Sequence, residues 1–126
     1  GMYGKINQEK EIVEFSREVK NILRASYVRL IKSNNRKIKK IALCTGAGSS
    51  LLEQVSNLDI DLYITGDITH HNALRAKELE LNVLDVEHFD TEKFFAEALY
   101  EQLIKFGIFK DILIKIKKME SPYNIL

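Results

Sequence analysis

Three short stretches of this chain carry the residue types that chemistry needs. The first is Glu87-His88-Phe89-Asp90-Thr91-Glu92. Imidazole and carboxylate are ligands that zinc, iron and manganese accept. A histidine that ends a strand and a glutamate in the first turn of the next helix can aim both groups at one ion. Each residue also has a plainer role. An acid in a first turn suits the helix dipole, and the imidazole can be a hydrogen-bonded, half-buried side chain. Spacing alone leaves both roles open.

The second stretch is Thr65-Gly66-Asp67-Ile68-Thr69-His70-His71. Asp67 is placed to cap a helix. Adjacent histidines on a helix point about 100° apart, so at most one of them easily faces a shared site. The third is Thr45-Gly46-Ala47-Gly48-Ser49-Ser50. Gly46 and Gly48 let backbone approach a ligand, and the helix start behind Ser49 offers N–H donors to an anion. It is not a phosphate-binding P-loop, because no lysine follows in the required place. It lacks the third glycine of a dinucleotide fingerprint. A tight strand-to-helix turn explains it equally well.

The elements that must position these stretches follow from apolar spacing. Ile12, Phe15, Val19, Ile22 and Leu23 recur at helical intervals between about Gln8 and Arg24. Tyr27 to Ile31 alternates as a short strand, and Ser33-Asn34-Asn35 is a polar turn. Ile38 to Thr45 is a strand with a continuous apolar run, Ile41 to Cys44, suited to burial on both faces. A helix then runs to about Val55. Strands follow at Asp61–Thr65 and Asn82–Glu87, with a helix from Thr69 to Leu79 between them. Asp90 or Thr91 caps a helix ending at Gly107, its buried face being Phe94, Phe95, Ala98, Leu99 and Leu103. Ile112 to Lys117 alternates isoleucine with lysine, as an edge strand does.

Strands alternating with helices predict one α/β domain over residues 2–126. Its architecture is three-layer, a mostly parallel sheet with helices on both faces. Right-handed crossovers bring successive strand C-termini to one edge, where open α/β sheets place ligands. All three chemistry-bearing stretches fall at that edge.

Composition narrows the function classes. The 126 residues are 45% hydrophobic and 29% charged, with a net charge of +1. That balance fits a globular domain and gives no broad basic surface for nucleic acid. The basic run Arg36-Lys37-Ile38-Lys39-Lys40 reads as a solvated strand start in preference to a nucleic-acid patch, which is the weaker reading. No apolar run has membrane length, the first residues do not resemble a signal peptide, and Gly1 before Met2 resembles a tag remnant. Cys44 is the single cysteine, so a reducing cytoplasm is the expected location and no internal disulfide is possible.

Taken in order, the motifs resemble the C-terminal half of the NGG-interacting-factor-like family. Its members are also called dinuclear metal-centre proteins and labelled GTP cyclohydrolase I type 2-like. Tyr3-Gly4-Lys5-Ile6 is similar to the family's Gly-x-Gly-Arg-Ile-Gly stretch, and Cys44-Thr45-Gly46-Ala47-Gly48-Ser49 to its Gly-Gly-Ala-Gly-Ser turn. Thr65-Gly66-Asp67 with His71 resembles its Thr-Gly-Asp turn and histidine. Asp85, His88, Thr91 and Glu92 match its Asp-x-x-His-x-x-Thr-Glu segment.

The resemblance implies a two-metal site to which this half gives His88 and Glu92. The family's other half, absent here, gives two histidines and an aspartate. His70 and His71 do not replace that pair. The resemblance also implies self-association into a homo-oligomer. The resulting expectation is a metal-dependent hydrolase-like domain for an unknown small-molecule substrate. A divalent metal (zinc, iron or manganese) would sit on His88 and Glu92. His71 and Asp67 would orient substrate or water, and Gly46, Gly48 and Ser49 would cradle an anion. The alternative is a non-catalytic module that binds a small molecule or a protein and has no competent metal site.

Overall fold

The structure, a computed structural model, describes residues 1–107 and 112–124. Its centre is three parallel strands: β3 (Ile38–Ala47), β4 (Leu62–Gly66) and β5 (Val83–Val86). Every residue of β4 and β5 is buried, as their mainly apolar sequences suit strands covered on both sides. Two antiparallel strands close the edges. β1 (Met2–Lys10) pairs with β3, and β2 (Val28–Ile31) pairs with β5, giving the order β1-β3-β4-β5-β2.

Side chains alternate across the sheet with the period of two that strands impose. Leu62, Ile64, Leu84 and Val86 point to one face, where α1 (Ile12–Ile22) lays down Ile12, Phe15 and Val19. Those three positions follow the i, i+3, i+7 spacing of a helix with one apolar stripe. Ala42, Tyr63 and Val83 point to the other face. It is covered by α2 (Leu52–Ser56), which follows a 3₁₀ turn at Ser49–Leu51, and by α3 (His70–Glu78). α2 and α3 are the crossovers β3→β4 and β4→β5, so a constant hand puts both on one side. α1 joins strands at opposite edges and must cross the remaining face. The three-layer α/β architecture is therefore as expected.

Four expectations are corrected. Gln8 to Lys10 is not helix: it finishes β1, a strand with little apolar alternation that its ladder with β3 holds in place. The helix expected from Asp90 or Thr91 is two helices, α4 (His88–Glu92) and α5 (Phe95–Phe106). No residue of α5 is buried; Phe95 is 68% and Leu99 44% exposed, because α1, α2 and α3 already cover both sheet faces. Residues 112–117 form no strand; both sheet edges are taken by β1 and β2, and the Ile/Lys alternation finds no ladder partner. Residues 108–111, inside the expected final helix-to-strand connection, lie outside the described residues. Among the described residues, no helix is long and apolar enough to cross a membrane.

Candidate functional site

The C-terminal ends of β3, β4 and β5 lie side by side, and the chain leaves each through a tight turn. A Cβ on Gly66 would stand 2.7 Å from the Val86 carbonyl oxygen and 3.0 Å from that of Gly46. Only a residue without a side chain lets the three turns approach so closely. Gly46 has φ +63°, and a Cβ there would lie 2.6 Å from Glu92 Oε1 and 3.1 Å from the His88 ring. Two requirements, left-handed backbone and empty space, fall on this one glycine.

Hydroxyl groups tie the turns together. The Gly46 amide donates to Thr91 Oγ1 at 2.8 Å, and that hydroxyl donates to the His88 carbonyl at 2.8 Å. The Gly48 amide donates to Thr65 Oγ1 at 2.9 Å, while Thr65 donates to the Gly46 carbonyl. Tyr63 donates to the Gly48 carbonyl at 2.9 Å. Burial pushes the Tyr63 phenol up to about 12, so it remains a neutral donor at every physiological pH. The amides of Gly46 and Gly48, candidates for an anion cradle, are thus satisfied within the chain. An anion at this turn would have to take other donors.

His88 and Glu92 are the first and last residues of α4, one turn apart on one helix face. The expected arrangement, His88 ending a strand and Glu92 opening a helix, differs: β5 stops at Val86. The His88 ring lies between two carboxylates. Its Nδ1 donates to Asp67 Oδ2 at 2.7 Å, and Nε2 is 3.1 Å from Glu92 Oε2. The hydrogen bond to Asp67 is the largest influence raising the ring's pKa above its ordinary value; the nearby charges of Glu92 and Asp67 add to it, and burial opposes it.

Asp67 does not cap α3. Thr69 does, accepting from the Asn72 amide at 3.3 Å. Asp67 adopts φ +56°, a left-handed conformation that aspartate tolerates better than most residues. Its neighbour Ile68 is pinned from two sides. The Ile68 amide points at Asp85 Oδ1, and Arg29 donates to the Ile68 carbonyl at 2.9 Å while pairing with Asp85. Burial holds the Asp85 carboxyl above the usual range, against the pull of Arg29. Arg29 and Asp85 thus brace the loop that presents Asp67. Their signal in the sequence is an acid inside an otherwise apolar strand, Val83-Leu84-Asp85-Val86, with an arginine on the neighbouring edge strand.

The structure thus brings together Asp67, His88, Glu92 and Gly46. His71 stands apart: its ring meets His70 edge-on at 5.9 Å, and no hydrogen bond joins it to Asp67, His88 or Glu92. Ser49 begins the 3₁₀ turn behind the glycines.

His88 Nε2 and Glu92 Oε2 suit a shared metal ion. Two ligands bonded at about 2.0–2.2 Å lie about 3.0–3.5 Å from each other, and these atoms are 3.1 Å apart. Among the described residues, no group of three or more His, Cys, Asp or Glu side chains could hold an ion; this chain offers a pair. The pair opens onto a cavity of about 750 Å³ lined also by Phe89, Phe94, Phe95 and Tyr123, a size that takes a small molecule.

The Duf34/NIF3 (NGG1p interacting factor 3) family model matches residues 1–122. NGG1-interacting factor 3 of Saccharomyces cerevisiae is 32% identical over 111 residues, covering 83% of this chain and 38% of that protein. A Staphylococcus epidermidis protein named GTP cyclohydrolase 1 type 2 homolog is 38% identical over 105 residues, covering 83% of this chain and 28% of that protein. The crystal structure of a Staphylococcus aureus protein superimposes with a TM-score of 0.88 at 29% identity, over 98% of this chain and 41% of that one. The chain therefore spans well under half the length of these relatives. With the family model matched from end to end of the described fold, and the same architecture in a solved relative, the chain belongs to the Duf34/NIF3 family.

Proposed function

We propose that this chain is a metal-binding module of a hydrolase-like protein that acts on a small molecule, with His88 and Glu92 as its two ligands to a divalent ion. The observation that carries this reading is the 3.1 Å separation of His88 Nε2 and Glu92 Oε2 at the mouth of the cavity, beside a glycine that clears the space. A divalent ion bound there would supply Lewis acidity.

The chain's own residues then have these roles. Glu92 and His88 would hold the ion from one face of α4. Phe89, Phe94 and Phe95 offer apolar surface for the body of a substrate beside it. His71 and Ser49, apart from the cluster, would act only on a substrate large enough to reach them. Two protein donors leave most of the coordination to water or to another chain segment, so affinity for the isolated chain is modest. Self-association is a natural way to complete such a site.

Elemental analysis of the purified chain, beside His88→Ala and Glu92→Gln, tests the proposal. About one metal per chain, lost in both variants with the fold intact, supports it. No metal after exposure to zinc, manganese or iron would refute it for this chain. That result would favour the second reading, a non-catalytic binding module, which is consistent with the lack of a third ligating side chain among the described residues.

A further inference from the structure

We infer that Asp67 is the positioning residue of the site: by accepting a hydrogen bond from the His88 Nδ1–H it fixes the tautomer and aim of the ring, and leaves a bare Nε2 facing the position shared with Glu92. This rests on the metal-binding reading above, and gives Asp67 a role through His88 in place of one on substrate.

The two hydrogen-bond lengths decide which nitrogen keeps the proton when the ring is neutral. The contact from Nδ1 to Asp67 is 2.7 Å, and that from Nε2 to Glu92 is 3.1 Å. A bond to a carboxylate near 2.7 Å is the strong, charge-assisted kind, so one remaining proton stays on Nδ1. A histidine ligand whose second nitrogen donates to a carboxylate is held in orientation and made more basic.

Asp67 is built for this and for nothing else in view. The cap of α3 belongs to Thr69. Asp67 has a left-handed φ of +56°, and its carboxylate meets the His88 ring at the start of α4. The adjacent Ile68 is 3% exposed and its carbonyl is bound by Arg29, so the carboxylate is aimed by fixed backbone. The contact joins residues 21 apart in sequence and links the turn after β4 to the start of α4.

The test uses the whole chain with Asp67→Gly and Asp67→Asn. Glycine removes the carboxylate without straining the left-handed backbone. Asparagine keeps an acceptor for Nδ1. Imidazole ¹⁵N NMR of the metal-free chain, at a pH where the ring is neutral, reads the tautomer; calorimetric titration with Zn²⁺ reads affinity. Wild type should show one His88 tautomer, protonated at Nδ1. D67G should show a mixture and bind Zn²⁺ about 10–100-fold more weakly, the usual effect of losing such a partner, and D67N should recover part of both. An unchanged tautomer in D67G, or a wild-type ring protonated at Nε2, overturns the inference whether or not metal binds. An altered tautomer with no Zn²⁺ binding by wild type upholds the role of Asp67 in orienting the ring and refutes the metal-binding reading instead.

Discussion

Replacing Gly46 with alanine separates the backbone demands of the site from its chemistry. Gly46 sits at φ +63°, a conformation that costs an L-residue about 1–2 kcal/mol. The added methyl would meet Glu92 Oε1 at 2.6 Å and the His88 ring at 3.1 Å. Glu92 Oε1 is the end of a flexible, half-exposed side chain, so it swings aside at little cost in stability. The His88 ring is less free, since Nδ1 is bound to Asp67. The stability loss should therefore be close to the backbone value alone. With a urea slope of about 2 kcal/mol per molar, the middle of the usual range, the midpoint should fall by about 0.5–1 M with the slope unchanged.

Metal binding should suffer more. Moving Glu92 breaks the 3.1 Å relation with Nε2, so Gly46→Ala should lose its metal under conditions where it is fully folded. Gly4→Ala is the control: a methyl at Gly4 meets nothing within 4 Å and should leave both stability and metal unaffected. If Gly46→Ala keeps wild-type metal affinity while losing stability as predicted, Glu92 is not a ligand in this geometry. If it loses neither, the tight approach of the β3 turn to α4 is wrong.

Three further outcomes follow from the same contacts. The raised pKa of His88 means its charged form favours the folded state. That contribution is fully present below the unfolded value of about 6.5 and is lost as pH rises through the higher folded value; the groups are half-exposed, so it should stay within about 1 kcal/mol and shrink with salt. The difference in urea midpoint between metal-free wild type and His88→Gln should therefore narrow from slightly acidic to alkaline pH, and a constant difference would contradict the ion-pair cluster. Tyr63→Phe removes the donor to the buried Gly48 carbonyl and should cost about 1–3 kcal/mol, whereas Tyr3→Phe, at a 70% exposed position, should be neutral by the same denaturation assay. Leu99→Ser on α5 should change the stability of the isolated chain by no more than about 0.5 kcal/mol, while Leu84→Ala in the fully buried β5 should cost about 2–5 kcal/mol; comparable losses would mean that α5 packs against the core after all.

What was legible in the sequence was the part governed by burial. β4 and β5 show as short apolar runs because both their faces are covered, and α1 shows as a stripe because only one side of it is. β1 was hidden for the converse reason. Its residues are largely exposed, so its strand character comes from backbone pairing with β3 and leaves almost no periodic trace. Residues 112–117 and α5 mislead in the opposite direction. Their patterns describe a face that could be buried, but a pattern cannot say whether an unoccupied surface exists for it. The start of α4 was placed late because Asp90 and Thr91 resemble caps. In the fold, Thr91 bonds back to the His88 carbonyl and Asp90 pairs with Lys93, so both serve a helix already begun.

The same hydroxyls explain why a five-residue helix can hold two ligands in register. A single turn has little stability of its own, and α4 has no side-chain cap at its start. Its geometry comes from outside: Thr91 fastens it to the Gly46 amide, Lys93 fastens its end to the Arg24 carbonyl at 3.1 Å, and Asp67 fastens its first ring. Each restraint reaches a different neighbour, the β3 turn, the end of α1 and the β4 turn. The glycine-rich turn is thus better understood as one support of the His88–Glu92 pair than as an anion site of its own. Its amides are already bound by Thr91 and Thr65, and its missing side chain at Gly46 is the space into which the pair projects.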